Sequence, residues 1–302
     1  MISTLSTSTQ REALLQTCAI GRTSKLQELL HTSQEHGQDH DAQPSASLES
    51  SLITAMLTKA TQNNHPDTVR YILTLLPRMK IPEEIVRWAL LSCSIEMYKT
   101  LFTHDPSIIH MIIRDGRETQ LGKALSIPAS PEHIAFLISC GLKPSNDPFD
   151  ASPLGLACGR WQTRSVELCT ILLQHGASLL HSGALAAAAK IGRIEVVSWL
   201  LEQGADVNDI VTKAALITHP CKGHPWPALH AAIESGHLEV VRLLLDRGAD
   251  PELLDEKGRT AYAVAKAGRD QQMISLLGVA VRGKAEPGSE NTLGIRPDFV
   301  IT

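Results

Sequence analysis

Apolar residues in the stretch 228–265, ALHAAIESGHLEVVRLLLDRGADPELLDEKGRTAYAVA, fall in two short stripes divided by glycine. Leu229, Ala232 and Ile233 stand at helical spacing before Gly236. Leu238, Val241, Leu244 and Leu245 do the same before Gly248. Apolar residues three and four positions apart share one face of a helix, and a following glycine can take the left-handed conformation that closes it. The pattern predicts a hairpin of two short helices. The turn formers in ADPELLDEKGRT predict an extended finger after it.

The pattern then recurs. Tyr262 stands where Leu229 stood, 33 residues on (262 − 229 = 33). Earlier copies open at Leu185, Leu154, Leu121, Val86, Leu52 and Leu14, and the five from Leu52 to Leu185 are spaced by 34, 35, 33 and 31 residues. The copy at Leu154 carries about three extra residues around Trp161. One such hairpin cannot bury its apolar stripes alone, whereas stacked neighbours bury them between each other. An array needs polar ends, and Gln10, Arg11, Glu12 and Gln16 supply one, with Lys266, Arg269, Asp270, Gln271 and Gln272 at the other.

Two hexapeptides carry a family resemblance. Pro227-Ala228-Leu229-His230-Ala231-Ala232 and Thr260-Ala261-Tyr262-Ala263-Val264-Ala265 resemble the T-P-L-H-x-A signature of the ankyrin repeat, whose period is also about 33 residues. The resemblance implies an all-α solenoid of about eight helical-hairpin repeats, several of them degenerate. It implies that His230 stabilises its turn by hydrogen bonding, and that Asp206 and Asp250 shape finger turns. It also implies a concave face, built from finger tips and the exposed positions of each first helix, on which partners bind.

The array is expected over residues 1–278, followed by a tail at 279–302. Two segments interrupt it. Residues 31–50 are polar and read as a loop; residues 209–227 read as an insertion in one finger. His31, His36 and His40 in the first, and His219, Cys221 and His224 in the second, are metal-ligand types. Zinc takes three or four ligands at once, and no second pair lies near either group. The expectation is therefore no metal, a solvated loop, and a proline-stiffened finger that presents Trp226.

Composition narrows the function classes. Hydrophobic residues make up 43% but aromatics only 4%, so the core must be aliphatic. The net charge is -4 and no Lys/Arg cluster stands out, which argues against nucleic acid as a partner. No apolar stretch is long enough to span a bilayer, and the N-terminus lacks the pattern of a secretory signal. The six cysteines are scattered without a CxxC pair, which suits a reducing intracellular compartment. The expected setting is the cytoplasm, with the nucleus left open, and the expected form is a monomer.

The groove positions carry the sharpest expectation. They lie five and six residues after each opening residue. Large aliphatics occupy them in five repeats: Ile20, Leu57, Leu91, Ile127 and Ile191. The charged residues there are Arg160, Lys190 and Glu234. An exposed apolar strip with a polar rim marks a contact surface, and each aliphatic buried on binding contributes about 1.5–3 kcal/mol. Trp161 lies beside the strip and Trp226 at a finger tip. The expected binding set is Leu91, Ile127, Arg160, Trp161, Lys190, Ile191, Trp226, Glu234 and Arg259. The alternative is that degenerate repeats bury these aliphatics against one another.

P-loop, G-x-G-x-x-G, H-E-x-x-H and G-x-S-x-G motifs are missing. The expected function is a non-enzymatic module, without cofactor, that binds a protein or peptide. The alternative is a hydrophobic small molecule in the groove, held or transformed with the help of Arg160, Lys190 and Glu234.

Overall fold

The computed structural model describes residues 2–34, 50–113, 119–128, 130–144, 152–159, 163–210 and 226–284. Within them sixteen α-helices pair into eight hairpins. The first four pairs are α1 (Ile2–Ile20) with α2 (Thr23–Gln34), α3 (Ser50–Gln62) with α4 (Pro66–Thr74), α5 (Glu83–Leu91) with α6 (Ile95–His104), and α7 (Gln120–Leu125) with α8 (Pro131–Ser139). The last four are α9 (Pro153–Ala157) with α10 (Ser165–Gln174), α11 (Ala184–Ile191) with α12 (Ile194–Glu202), α13 (Ala228–Glu234) with α14 (Leu238–Asp246), and α15 (Ala261–Gly268) with α16 (Gln271–Lys284).

Local chemistry sets the helix ends. Ser94, Ser130 and Thr260 accept hydrogen bonds from the backbone N–H groups of Met97, His133 and Ala263, capping α6, α8 and α15. Each such cap contributes about 1 kcal/mol. Pro66, Pro131 and Pro153 sit in first turns, where a missing N–H costs nothing. Two boundaries differ from the polarity pattern. Helix α2 carries His31 and runs to Gln34, so the polar segment begins later than residue 31. Helix α16 runs on to Lys284, past the expected start of the tail at 279.

The odd-numbered helices stack as an inner row, each touching the next from α1 to α15. The even-numbered helices form the outer row, joined as α2–α4–α6 and as α8 through α16. Between the rows runs one continuous aliphatic core. In α11 every residue from Ala184 to Ala189 is buried. Alanine there lets α11 approach both α9 and α13, because a methyl group is all that stands between the backbones. One polar network crosses the interior. Tyr98 donates to Gln120 Oε1 at 2.5 Å, and the Gln120 amide donates to the carbonyls of Ile108 and Met111. Both residues are fully enclosed, and these bonds meet their polar groups.

The inner helices also fix the register. In five repeats the residue seven places after the opening one is left-handed: Gly21 after Leu14, Cys93 after Val86, Gly192 after Leu185, Gly236 after Leu229 and Arg269 after Tyr262. In the second repeat the left-handed residue is Asn64 (φ 57°). Counting back seven gives Leu57, not Leu52. Leu57 therefore belongs to the core, and its exposure is 0%. The sequence expectation that Leu57 faces the groove is corrected. The positions that do face outward in that repeat are Gln62 and Asn63, both polar and exposed.

The polar ends appear as expected. Gln10, Arg11, Glu12 and Gln16 on α1 are exposed, as are Lys266, Arg269, Gln271 and Gln272 at the other end. Tyr262 is 39% exposed although it holds the opening position, because no further described helix covers α15.

Candidate binding surface

The inner-row positions five and six after each opening residue form a mixed strip. Ile20 is exposed at 53%. Leu91, Ile127 and Ile191 are half-buried, as are Ala19, Ser92 and Lys190. Glu234 is exposed. Arg160 and Trp161 lie outside the described residues. With Leu57 in the core, the strip is a line of partly covered aliphatics rather than a bare apolar trough.

Trp226 departs most from expectation. It does not stand out on a finger; its exposure is 7%. The residue directly before the cap of α13 turns its ring toward the end of α11, where the Lys190 ammonium stands 5.4 Å from the ring centroid. A cation over an aromatic face is held by the ring quadrupole, and burial strengthens the attraction. The expectation of a presented indole fails because the ring finds a partner in the preceding repeat.

Lys190 is anchored a second way. Its carbonyl oxygen accepts from His237 Nε2 at 3.1 Å. His237 caps α14 in the next repeat and packs over Gly192, where a Cβ would lie 2.5 Å from its Nδ1. Glycine is needed there twice, for its left-handed φ of 80° and for the space. The same device joins the first two repeats. His65 Nε2 donates to the carbonyl of Ala19 at 3.1 Å and packs over Gly21. A ring nitrogen facing a carbonyl must carry the hydrogen, so both histidines take the Nε2–H tautomer.

Arg259 belongs to a finger turn. Its side chain pairs with the enclosed carboxylate of Asp255 at 2.8 Å, and its own backbone N–H and that of Lys257 donate to Asp255 Oδ1 at 2.8 and 2.9 Å. Burial pushes the Asp255 carboxyl up, but the backbone and side-chain hydrogen bonds from Arg259 outweigh it and hold the group below the usual carboxylate range. His230 closes onto the same turn: its Nε2 donates to the Arg259 carbonyl at 3.0 Å. The turn that receives this hydrogen bond is the finger that follows α14. Asp206 and Asp250 each accept from the N–H two residues on, Asn208 at 2.9 Å and Glu252 at 3.2 Å.

Lys190 and Glu234 make no ion pair with each other, so no charged cluster gathers among the described groove residues. Among those residues no three His, Cys, Asp or Glu side chains converge on a metal-sized site. His36, His40, His219, Cys221 and His224 lie outside them. No described helix is long and apolar enough to cross a membrane. A cleft of about 430 Å³ opens on the outer row instead, where α4 and α6 present Arg70, Leu73, Lys99, Thr100, Thr103 and His104. Arg70 is neutralised within it by Asp67 at 2.6 Å and Glu96 at 2.7 Å.

Hairpins stacked in two rows, closed by left-handed residues and linked by finger turns, define a helical-repeat solenoid. A model of the ankyrin repeat matches residues 226–256, and a model of three ankyrin repeats in tandem matches residues 122–211. The chain carries ankyrin repeats over these two stretches. The crystal structure of the human ASB11 ankyrin repeat domain superposes with a TM-score of 0.57 at 21% identity, covering 74% of this chain and 96% of that one. Its likeness is one of fold. Comparison with curated protein sequences returned no match. Ankyrin repeats are in general protein–protein interaction modules and are typically non-enzymatic.

Proposed function

We propose that this chain is a non-enzymatic adaptor that holds a protein or peptide partner against the inner row, along the line from Leu91 through Ile127 to Ile191, with Lys190 and Glu234 as the polar rim. The observation that carries the reading is the partial exposure of those aliphatics at positions where a soluble repeat would ordinarily place polar side chains. Half-buried aliphatics give an apolar footing without the ordering cost of long free side chains. Arg160 and Trp161, outside the described residues, stay in the proposed set on their sequence position alone. Trp226 and Arg259 act from behind it, one under Lys190 and the other within a finger turn. We place the protein in the cytoplasm on its scattered cysteines, five of which are free thiols.

The test is capture of partners on the native chain and on an Ile127→Glu, Ile191→Glu double variant whose helical signal matches it. Loss of the captured set supports the groove. Recovery of the same partners at the same yield rules it out. A small molecule handled by Arg160, Lys190 and Glu234 gains no support from the cleft described above, which lies on the outer row and includes neither Lys190 nor Glu234.

A further inference from the structure

In the fifth repeat two thiols meet between the inner and outer rows. Cys158 Sγ, at the end of α9, lies 3.5 Å from Cys169 Sγ, in the middle of α10. Neither residue has any exposure. The neighbouring repeats fill the equivalent two places with aliphatic residues, Ala189 and Val197 in one and Ile233 and Val241 in the next, all buried. One cysteine among such residues is a small hydrophobe. Two with their sulfurs at contact distance form a dithiol.

The sequence spacing adds to this. The paired places are eight residues apart in the neighbours (197 − 189 and 241 − 233) but eleven apart here (169 − 158). The difference is the three-residue insertion that also carries Arg160 and Trp161. A bond between the two sulfurs would fasten the base of that insertion.

We infer that Cys158 and Cys169 are a modification site, a dithiol that a peroxide-sized two-electron oxidant converts to an intramolecular disulfide within the folded repeat. One sulfur attacks an oxygen of hydrogen peroxide. The O–O bond breaks, a sulfenic acid forms, and the departing hydroxide leaves as water with the thiol proton. The second sulfur then attacks the sulfenic sulfur. The S–S bond forms as the S–O bond breaks, and a second water departs with the second thiol proton. Two thiols are oxidised and one peroxide is reduced to two waters.

The first step needs the fold to open. The hydrogen bond to Cys169, and then burial, keep the Cys158 thiol protonated well above the ordinary range. Attack therefore waits on opening of α9, a helix of only five residues. Once the first sulfur is oxidised, the second is already at contact. Cys18 provides an internal comparison. It stands four residues after Leu14, as Cys158 stands four after Leu154, and it is equally buried, but among the described residues no second thiol is hydrogen-bonded to it.

The experiment uses the full chain. The native protein is treated with hydrogen peroxide, quenched, unfolded, alkylated and digested for mass spectrometry. The expected product is a Cys158–Cys169 linked peptide pair, about 2 Da lighter than the sum of its reduced parts. Cys18 remains alkylated, the helical signal is kept, and dithiothreitol restores both thiols. Cys158→Ala and Cys169→Val copy the residues of the next repeat and should fold while losing the link. The inference is overturned if Cys158 and Cys169 stay as alkylatable as Cys18, or go to sulfinic acids without a link. A link to any other cysteine, or one that forms only as the helical signal is lost, overturns it equally.

Discussion

His237 Nε2 stands 3.1 Å from the carbonyl oxygen of Lys190, reaching from the cap of one repeat to the end of an inner helix in the repeat before it. The bond satisfies a carbonyl that the helix end leaves open. It also sets the helix whose lysine lies over Trp226.

The first prediction concerns the glycine beneath that histidine. Gly192→Ala places a methyl where the His237 ring lies and puts a side chain at a left-handed φ of 80°. It should cost at least about 2 kcal/mol, read by chemical denaturation. His237→Ala should relieve part of that cost, so the double variant is expected to be more stable than the sum of the singles. Simple additivity would mean that ring and glycine do not touch.

The second concerns register. Leu57→Ala should cost about 2–5 kcal/mol, as for an enclosed leucine, whereas Ile20→Ala should change stability by no more than about 0.5 kcal/mol. Equal effects would return Leu57 to the groove.

Acid should weaken the array in a defined window. Burial lowers the pKa of both His133 and His230 from the usual 6.5. The unfolded chain takes up these protons near pH 6.5, while the folded chain resists until lower pH. Stability from this source is complete above about pH 6.5 and declines as pH falls from there toward the lowered folded values. His133 is fully enclosed with neither ring nitrogen hydrogen-bonded, and Met97 holds the same third place in α6. His133→Met should flatten the pH dependence of the unfolding free energy between about pH 7 and about pH 5. An unchanged slope would sink the assignment.

Arg269 offers a gain. It is exposed and left-handed at φ 57°, in the place that glycine holds in two neighbouring repeats. Arg269→Gly should add about 0.5–1 kcal/mol, since relief of the left-handed penalty exceeds the entropy that glycine restores to the unfolded chain. A fall in the midpoint would contradict it.

How far these features could be read from sequence depended on whether their cause was local. Gly236 and Leu229 announce a hairpin because the apolar spacing and the closing glycine sit within one helix. Leu57 was misplaced because its helix closes on Asn64, and asparagine tolerates the left-handed region without looking like a glycine. The prolines around Trp226 suggested an exposed finger, but the contact that buries it comes from Lys190 in another repeat, which no local pattern encodes. The two bridging histidines did leave a trace. Each directly follows a left-handed residue, as Asn64-His65 and Gly236-His237, and stands at the cap position of an outer helix.

Those two histidines stand at long backbone connections, His237 at the longest between described helices. His65 joins the first repeat to the second, across the connection that includes residues 35–49. His237 joins the sixth to the seventh, across the one that includes 211–225. Long connections restrain their ends least, and at these two junctions a side chain restores a restraint that covalent linkage supplies elsewhere. A protease that severed both connections should leave three fragments that still travel as one particle.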